Sequence, residues 1–237
     1  MSDEMTSEQI KDQLLAAALP HVVFDGWAPS VFDASVAETE IAPAVARALC
    51  PRGAVDLAVA FHKRGDAEMV ARMKSADLSA LRFRDRIASG VRFRLEAAAA
   101  HKEEVRRGTT LFALPHLAGD GTKLIWGTAD AIWTTLGDAS EDFNWYSKRA
   151  TLSGVYGATV LFWLGDDSPD HVDTWAFLDR RIDDVMQIEA LKKTVNDSPT
   201  LSAMMAGPNW VLNQIKAPAR KATPNMPGSW TSPTSDT

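Results

Sequence analysis

The run Gly154-Val155-Tyr156-Gly157-Ala158-Thr159-Val160-Leu161-Phe162-Trp163-Leu164 decides how the chain is read. It is the second half of a segment that starts at Asp142 and stops at Gly165, and it has little polar face. A helix apolar all round is buried on all sides. Two glycines and small residues beside large aromatics mean either close helix packing or room for an apolar ligand. Outward from this run the periodicity stays helical nearly throughout. Thr6 and Gln9 have capping-box spacing before Ile10, Leu14, Ala17 and Ala18, so a first helix runs from there to Gly26, bent at Pro20. Pro29-Ser30 opens a short second helix, and Ile41 to Leu49 makes a third that ends at Cys50-Pro51. A longer helix follows Gly53. Ser79 is placed to cap the next, which runs to about Ala98. Residues 102–114 and 122–136 give two more, with Gly119-Asp120-Gly121 as the turn between them. Ser168-Pro169-Asp170 reads as an N-cap, a Pro at N1 and an acid in the first turn. Behind it Val172, Trp175, Leu178, Ile182 and Val185 form one stripe. No segment alternates in the manner of a strand, so the expected fold is all-α, with about ten helices and short connections. From about Ala217 the chain is rich in Pro, Ser, Thr and Asn and is expected to be disordered.

The 237 residues carry 25 basic and 31 acidic side chains, net −6, which argues against a general nucleic-acid binder. Residues 1–60 and 111–190 are acidic, whereas 61–110 and 191–237 are basic. Cys50 is the single cysteine, so a disulfide framework and a cysteine zinc site are excluded within one chain. The acidic start, Met1 to Glu8, resembles neither a secretory signal nor an Arg-rich transit peptide. No apolar run reaches the roughly 18 residues that span a bilayer. These features predict a cytoplasmic protein.

The usual catalytic signatures are absent. None of the glutamates has a histidine three residues on, as a di-iron bundle requires. There is no His-Glu-x-x-His, no Walker A loop and no Gly-x-Ser-x-Gly elbow. No enzyme activity, cofactor or metal is therefore expected. The N-terminal spacing of three short helices resembles the helix-turn-helix module of TetR-type regulators. A DNA-reading third helix needs bases or amides on its surface, because phosphate neutralisation dominates affinity. Ile41 to Cys50 offers only Arg47, and the helix before it carries Asp33, Glu38 and Glu40. The expected role is packing, with a TetR-type ligand-responsive regulator as the alternative function.

Of 19 aromatic residues, 11 lie between 111 and 190. Among them Asp142-Phe143-Asn144-Trp145-Tyr146-Ser147-Lys148-Arg149, then Asp167-Ser168-Pro169-Asp170, then Asp173-Thr174-Trp175-Ala176-Phe177-Leu178-Asp179-Arg180-Arg181 closely resemble the Coq-nine family of coenzyme Q biosynthesis accessory proteins. Ala16-Ala17-Ala18-Leu19-Pro20, Gly26-Trp27 and Leu114-Pro115-His116 extend the resemblance to roughly residues 10–190. It implies a TetR-like all-α homodimer that does not bind nucleic acid. It implies an apolar pocket for an isoprenoid lipid or ubiquinone intermediate, and a partner, the demethoxyubiquinone hydroxylase, to which that lipid is presented. Candidate lipid-binding residues are Trp126, Trp133, Leu152, Val155, Tyr156, Val160, Phe162, Trp163, Phe177, Leu178 and Ile182. Candidate partner-binding residues are Asn144, Trp145, Tyr146, Lys148 and Arg149, since Trp, Tyr and Arg dominate protein interfaces; half-buried helix packing is the other reading of Trp145 and Tyr146. The family also has a last amphipathic helix that touches membrane. Here its counterpart would be Leu201, Met204, Met205, Trp210, Val211, Leu212 and Ile215, flanked by lysines suited to an anionic surface and interrupted at Gly207-Pro208. The organisation that follows is a helix-turn-helix-like module (1–60), a helical lipid-binding and dimerisation domain (61–190), an amphipathic segment (191–217) and a tail (218–237). The place that follows is peripheral, on the inner face of the bacterial plasma membrane.

Overall fold

A computed structural model describes residues 5–141, 143–197 and 217. The expected membrane residues between 198 and 216, and the tail after 217, lie outside the described residues. Among those described there are nine α-helices and no strand, so the chain is all-α as its periodicity predicts. They are α1 (Ser7–Asp25), α2 (Pro29–Glu38), α3 (Pro43–Leu49), α4 (Ala54–Ser75), α5 (Phe83–Ala97), α6 (Lys102–Phe112), α7 (Ala118–Thr135), α8 (Phe143–Leu164) and α9 (Val172–Asp197). None of them is long and apolar enough to cross a membrane.

The helices enclose two hydrophobic clusters. Leu14, Leu15, Ala18 and Val22 of α1 pack on Val31 and Phe32 of α2, Ala46 of α3 and Leu57 of α4. Met69 and Met73 at the other end of α4 join Val91 and Leu95 of α5, Ile132 of α7, Tyr156 and Trp163 of α8, and Leu178 and Ile182 of α9. Helix α4 is therefore shared, and it ties the N-terminal module to the larger bundle. Apolar burial of this extent is the main stabilising term in a chain of this size.

The local signals hold at the ends where they are geometrically simple. The capping box forms: the Gln9 N–H donates to Thr6 Oγ1 (3.3 Å) and the Thr6 N–H to Gln9 Oε1 (2.7 Å). Helix α1 runs on through Pro20 and stops at Gly26, whose φ of 68° needs a glycine. Two other expectations are corrected, and a third is extended. Ser79 does not cap α5; it is engaged by the Asp77 carboxylate in a turn (2.6 Å), and α5 starts at Phe83. Gly119-Asp120-Gly121 is not an interhelical turn but the first turn of α7, where Asp120 suits the positive helix end and pairs with Arg52 (2.7 Å). Gly121 is small because a Cβ there would lie 2.9 Å from Cβ of Phe112, so it sets the approach of α6 to α7. Finally, α9 starts at Val172 after a single 3₁₀ turn in which Asp170 and His171 have left-handed φ values of 51° and 56°. Ser168 stands at the N-cap with Pro169 behind it, as the sequence predicts, and its hydroxyl accepts the Asp173 N–H (3.1 Å). The buried Asp166 carboxylate adds a second cap, accepting the Ser168 N–H (2.8 Å), the Thr174 N–H (3.0 Å) and the Thr174 hydroxyl. The bonds from Ser168 and Thr174 hold that carboxyl well below the usual carboxylate range.

Helix α8 is not buried on every side. Its α7 and α9 flanks are covered, but Leu161 is 65% and Phe162 37% exposed on the remaining face. The basic stretch 61–110 acquires a structural role. Lys102 Nζ donates to the Asp166 carbonyl (2.7 Å) and Arg106 Nη2 to the Leu164 carbonyl (2.6 Å), which satisfies acceptors at the C-terminal end of α8. Arg107 does the same for Val23 near the end of α1 (3.2 Å). Trp27 adds a bond from Nε1 to the Glu104 carbonyl (3.2 Å). Helix α6 is thereby fastened to the ends of both α1 and α8.

The position of the cap yields a test. Asp166→Ala should cost roughly 1–3 kcal/mol in urea unfolding, whereas Ser168→Ala should cost less than about 1 kcal/mol. The reverse order would make the Ser168 hydroxyl the stronger of the two caps.

Candidate functional site

The helices that fasten α6 also leave a space. A cavity of about 390 Å³ lies between α4, α5, α6, α7 and α8. Its wall is mostly apolar: Trp27, Ala58, Phe61, Leu95, Ala98, Val105, Phe112, Leu124, Ile125, Val160 and Trp163. Leu161 lines it while largely exposed, which puts that residue at a mouth. The volume falls in the range of small-molecule sites, roughly 300–1,000 Å³.

Three of the expected lipid-binding residues, Tyr156, Val160 and Trp163, line this cavity. Trp133, Leu152, Val155, Leu178 and Ile182 lie in the adjoining core instead. Phe162 and Phe177 stack with ring centroids 4.5 Å apart, and Trp126 joins a separate aromatic group. The other walls come from α4 and α6, which the aromatic density of 111–190 did not single out. One signal for the cavity itself was present. In α5, Arg94 falls on the same stripe as Ile87, Val91, Leu95 and Ala98, and a charge on an apolar stripe marks an unusual interior.

That charge is part of a buried polar cluster in the cavity wall. Arg94 is 4% exposed. Its Nε donates to Asp66 Oδ1 (2.7 Å) and its Nη2 to the His62 carbonyl (3.1 Å). Thr128 Oγ1 donates to Asp66 Oδ1 (2.9 Å), and His62 Nε2 lies 2.9 Å from Thr128 Oγ1. Gly65 admits the guanidinium, since a Cβ there would lie 2.6 Å from Arg94 Nη1. Burial pushes His62 down to about 4, against the pull of Asp66 and with the help of the Arg94 charge. Burial likewise pushes the Tyr156 phenol up, so both groups are neutral near pH 7.

The second place of interest is the start of α8. Trp145 and Tyr146 meet edge to face at 4.8 Å, and Trp126 of α7 lies 6.0 Å from Trp145 and 6.4 Å from Tyr146. All three rings are half-buried, and Asn144 beside them is exposed. Beneath them Arg149 is only 2% exposed. It donates to Asp130 (2.6 Å), Asp138 (2.9 Å) and the Trp145 carbonyl (3.2 Å), and its guanidinium lies 3.9 Å from the Trp145 ring centroid. Lys148 pairs with Asp138 (2.9 Å) and stands 5.1 Å from the Trp133 ring centroid. Burial would raise the Asp138 carboxyl, but hydrogen bonds from Lys148, Arg149 and Ser140 outweigh it and hold it far below the usual range. Arg149 thus orients the aromatic group from below. Among the described residues no three His, Cys, Asp or Glu side chains are grouped to hold a metal ion.

An N-terminal three-helix module on a cavity-bearing helical bundle defines the TetR architecture. The solved TetR transcriptional regulator from Nitrosomonas europaea superposes with a TM-score of 0.60 at 21% identity, over 73% of this chain and 95% of that one, which establishes the fold. The COQ9 family model matches residues 118–189. The ubiquinone biosynthesis protein COQ9, mitochondrial, of Rattus norvegicus is 30% identical over 203 residues, 83% of this chain and 65% of the rat protein. The human COQ9 is 28% identical over 83% of this chain and 64% of its own length. The chain therefore resembles the COQ9 family over most of its length and spans a little under two thirds of these relatives.

The depressed His62 gives a pH signature. The unfolded chain takes up a proton near the ordinary histidine value of about 6.5, and the folded chain not until about 4. Between those values the unfolded state binds more protons, so stability falls as pH drops from 6.5 to 4. His62→Gln should flatten that decline in melting temperature. An unchanged slope would mean that another group carries it.

Proposed function

We propose that this protein is a non-enzymatic accessory protein of ubiquinone biosynthesis, which holds an isoprenoid quinone precursor in the cavity and presents it to the demethoxyubiquinone hydroxylase. The carrying observation is a 390 Å³ apolar cavity in a chain that resembles COQ9. A prenyl tail is nearly insoluble, and each buried methylene recovers about 0.8 kcal/mol on leaving water. Tyr156, Val160 and Trp163 would contact the lipid directly, with Trp27, Phe61 and Ile125 opposite. Leu152, Val155, Leu178 and Ile182 would act from behind as packing. The aromatic group of Trp126, Trp145 and Tyr146 would dock the hydroxylase, with Asn144 at its edge and Arg149 holding Trp145 in place. Half-buried aromatics over a fixed cation suit a binding hot spot.

The exposed Leu161 and Phe162 face would receive a second copy of the chain, and Leu201 to Ile215 would rest on the bilayer surface. A TetR-type regulator is the second reading, favoured by the fold alone. Against it, α3 carries a single base, Arg47, with Asp33 3.9 Å away. Specific duplex binding with a steep salt slope would instead support that reading.

Native mass spectrometry of protein purified from its own host tests the cavity, and a co-purifying prenyl lipid is expected. A persistently ligand-free protein would overturn the reading. Trp145→Ala with Tyr146→Ala should weaken hydroxylase binding at least about tenfold while changing the melting temperature little. A large loss of stability with unchanged binding would reduce the pair to helix packing.

A further inference from the structure

The tail after Ala217 lies outside the described residues, but its sequence has a period. In Lys221-Ala222-Thr223-Pro224-Asn225-Met226-Pro227-Gly228-Ser229-Trp230-Thr231-Ser232-Pro233 a base, two prolines, a tryptophan and a third proline recur every third residue. Polyproline II has three residues per turn, so in that conformation all five share one face. Pro-x-x-Pro segments of this kind dock in aromatic-lined grooves. An aromatic group lies close to where the tail begins. The Ala217 N–H donates to the Glu141 carbonyl (3.0 Å), and Glu141 precedes Trp145 by four residues. Four residues of polyproline II extend about 12 Å, so Lys221 and the prolines after it start within reach of Trp126, Trp145 and Tyr146. Those three half-buried rings form a triangle with centroid separations of 4.8, 6.0 and 6.4 Å. The connection from α7 to α8, residues 136–142, carries Asp138, Glu141 and Asp142 and no base. Glu141 is exposed, and Asp130, one turn beyond Trp126, keeps its carboxylate 43% exposed. The cations beneath the rings, Lys148 and Arg149, are already paired with Asp138 and Asp130.

We propose that residues 218–237 dock in polyproline II form on the Trp126, Trp145 and Tyr146 group of the same chain, and so compete with the hydroxylase for that surface. Proline rings pack against flat aromatic faces, and three tilted rings supply the crevices between them. Lys221, with Arg220 beside it, meets the acidic connection at Glu141. An exposed ion pair is worth little by itself, so the rings carry the contact and Lys221 sets its direction. Trp230 and Pro233 continue the same face beyond Pro227. The tether through Ala217 is short, which gives the tail an effective concentration on the order of millimolar at the rings, so a weak contact suffices. A hydroxylase arriving from solution binds only the chains whose rings are open, and its affinity falls by that fraction. The competition rests on the hydroxylase reading of this patch; the docking of the tail does not.

Paramagnetic broadening in the full chain tests the docking. A nitroxide is attached at Met226→Cys, with the buried Cys50 replaced by Ala, and the tryptophans carry 5-fluoro labels. Trp126→Phe and Trp145→Phe assign the two fluorine resonances. Both resonances should lose most of their intensity relative to the reduced, diamagnetic sample, and Pro224→Ala with Pro227→Ala should restore it. Without labels, the same two proline substitutions should tighten hydroxylase binding about threefold, the gain expected if two-thirds of the chains are self-covered. Undiminished Trp126 and Trp145 resonances, or broadening that persists in the proline variant, would overturn the docking. So would broadening of a fluorinated chain by a separate nitroxide-bearing copy in place of its own label. Broadening together with a hydroxylase affinity that ignores the proline substitutions would leave the tail on the rings and overturn both the competition and the hydroxylase reading of the patch.

Discussion

The fold must hold open an apolar space of about 390 Å³ without collapsing on it. Side chains around such a space gain contacts by closing on it, so walls free to move would do so. The frame around the cavity therefore has to be stiff. Several features that look unrelated in sequence serve that end. Arg106, Lys102 and Arg107 pin α6 to the ends of α8 and α1, and Trp27 bonds the Glu104 carbonyl. Asp66, Arg94, Thr128 and His62 brace α4, α5 and α7 on another wall. A ligand of matching shape would supply the wall contacts that the open space lacks.

The same frame relates the two places of interest. Helix α8 presents Trp145 and Tyr146 at its start and lines the cavity with Tyr156, Val160 and Trp163 further along. A single helix thus connects the proposed docking patch with the proposed lipid site. Arg149 and Asp138 fix its first turns against α7, so the aromatic group is set by a buried ion network.

Much of this was legible in the chain, for local reasons. Helical periodicity, the Thr6–Gln9 capping box and the Gly26 stop depend on neighbours within a few residues, and so does the Asp142–Arg149 block that carries the family resemblance. What escaped depends on distant partners. The Ser168-Pro169 cap was legible and forms, but the second cap was not, because Asp166 reaches Thr174 from eight residues away across a turn with left-handed backbone. Gly119 and Gly121 looked like a turn because the helix contact that requires a small residue, with Phe112, is tertiary. The α4 and α6 walls combine residues such as Phe61 and Phe112 that no local pattern joins to Trp163. The basic stretch was opaque for the same reason, since its cations reach carbonyls about 60 to 80 residues away in sequence.

The central claim is that the space between α4 and α8 is a lipid site rather than a packing defect. Diffraction from crystals of protein purified without delipidation addresses it most directly. The account predicts elongated, branched electron density running from Arg94 and Tyr156 past Trp163 to Leu161. A cavity holding only separate water peaks, or one closed by inward movement of Phe61 and Phe112, would contradict it.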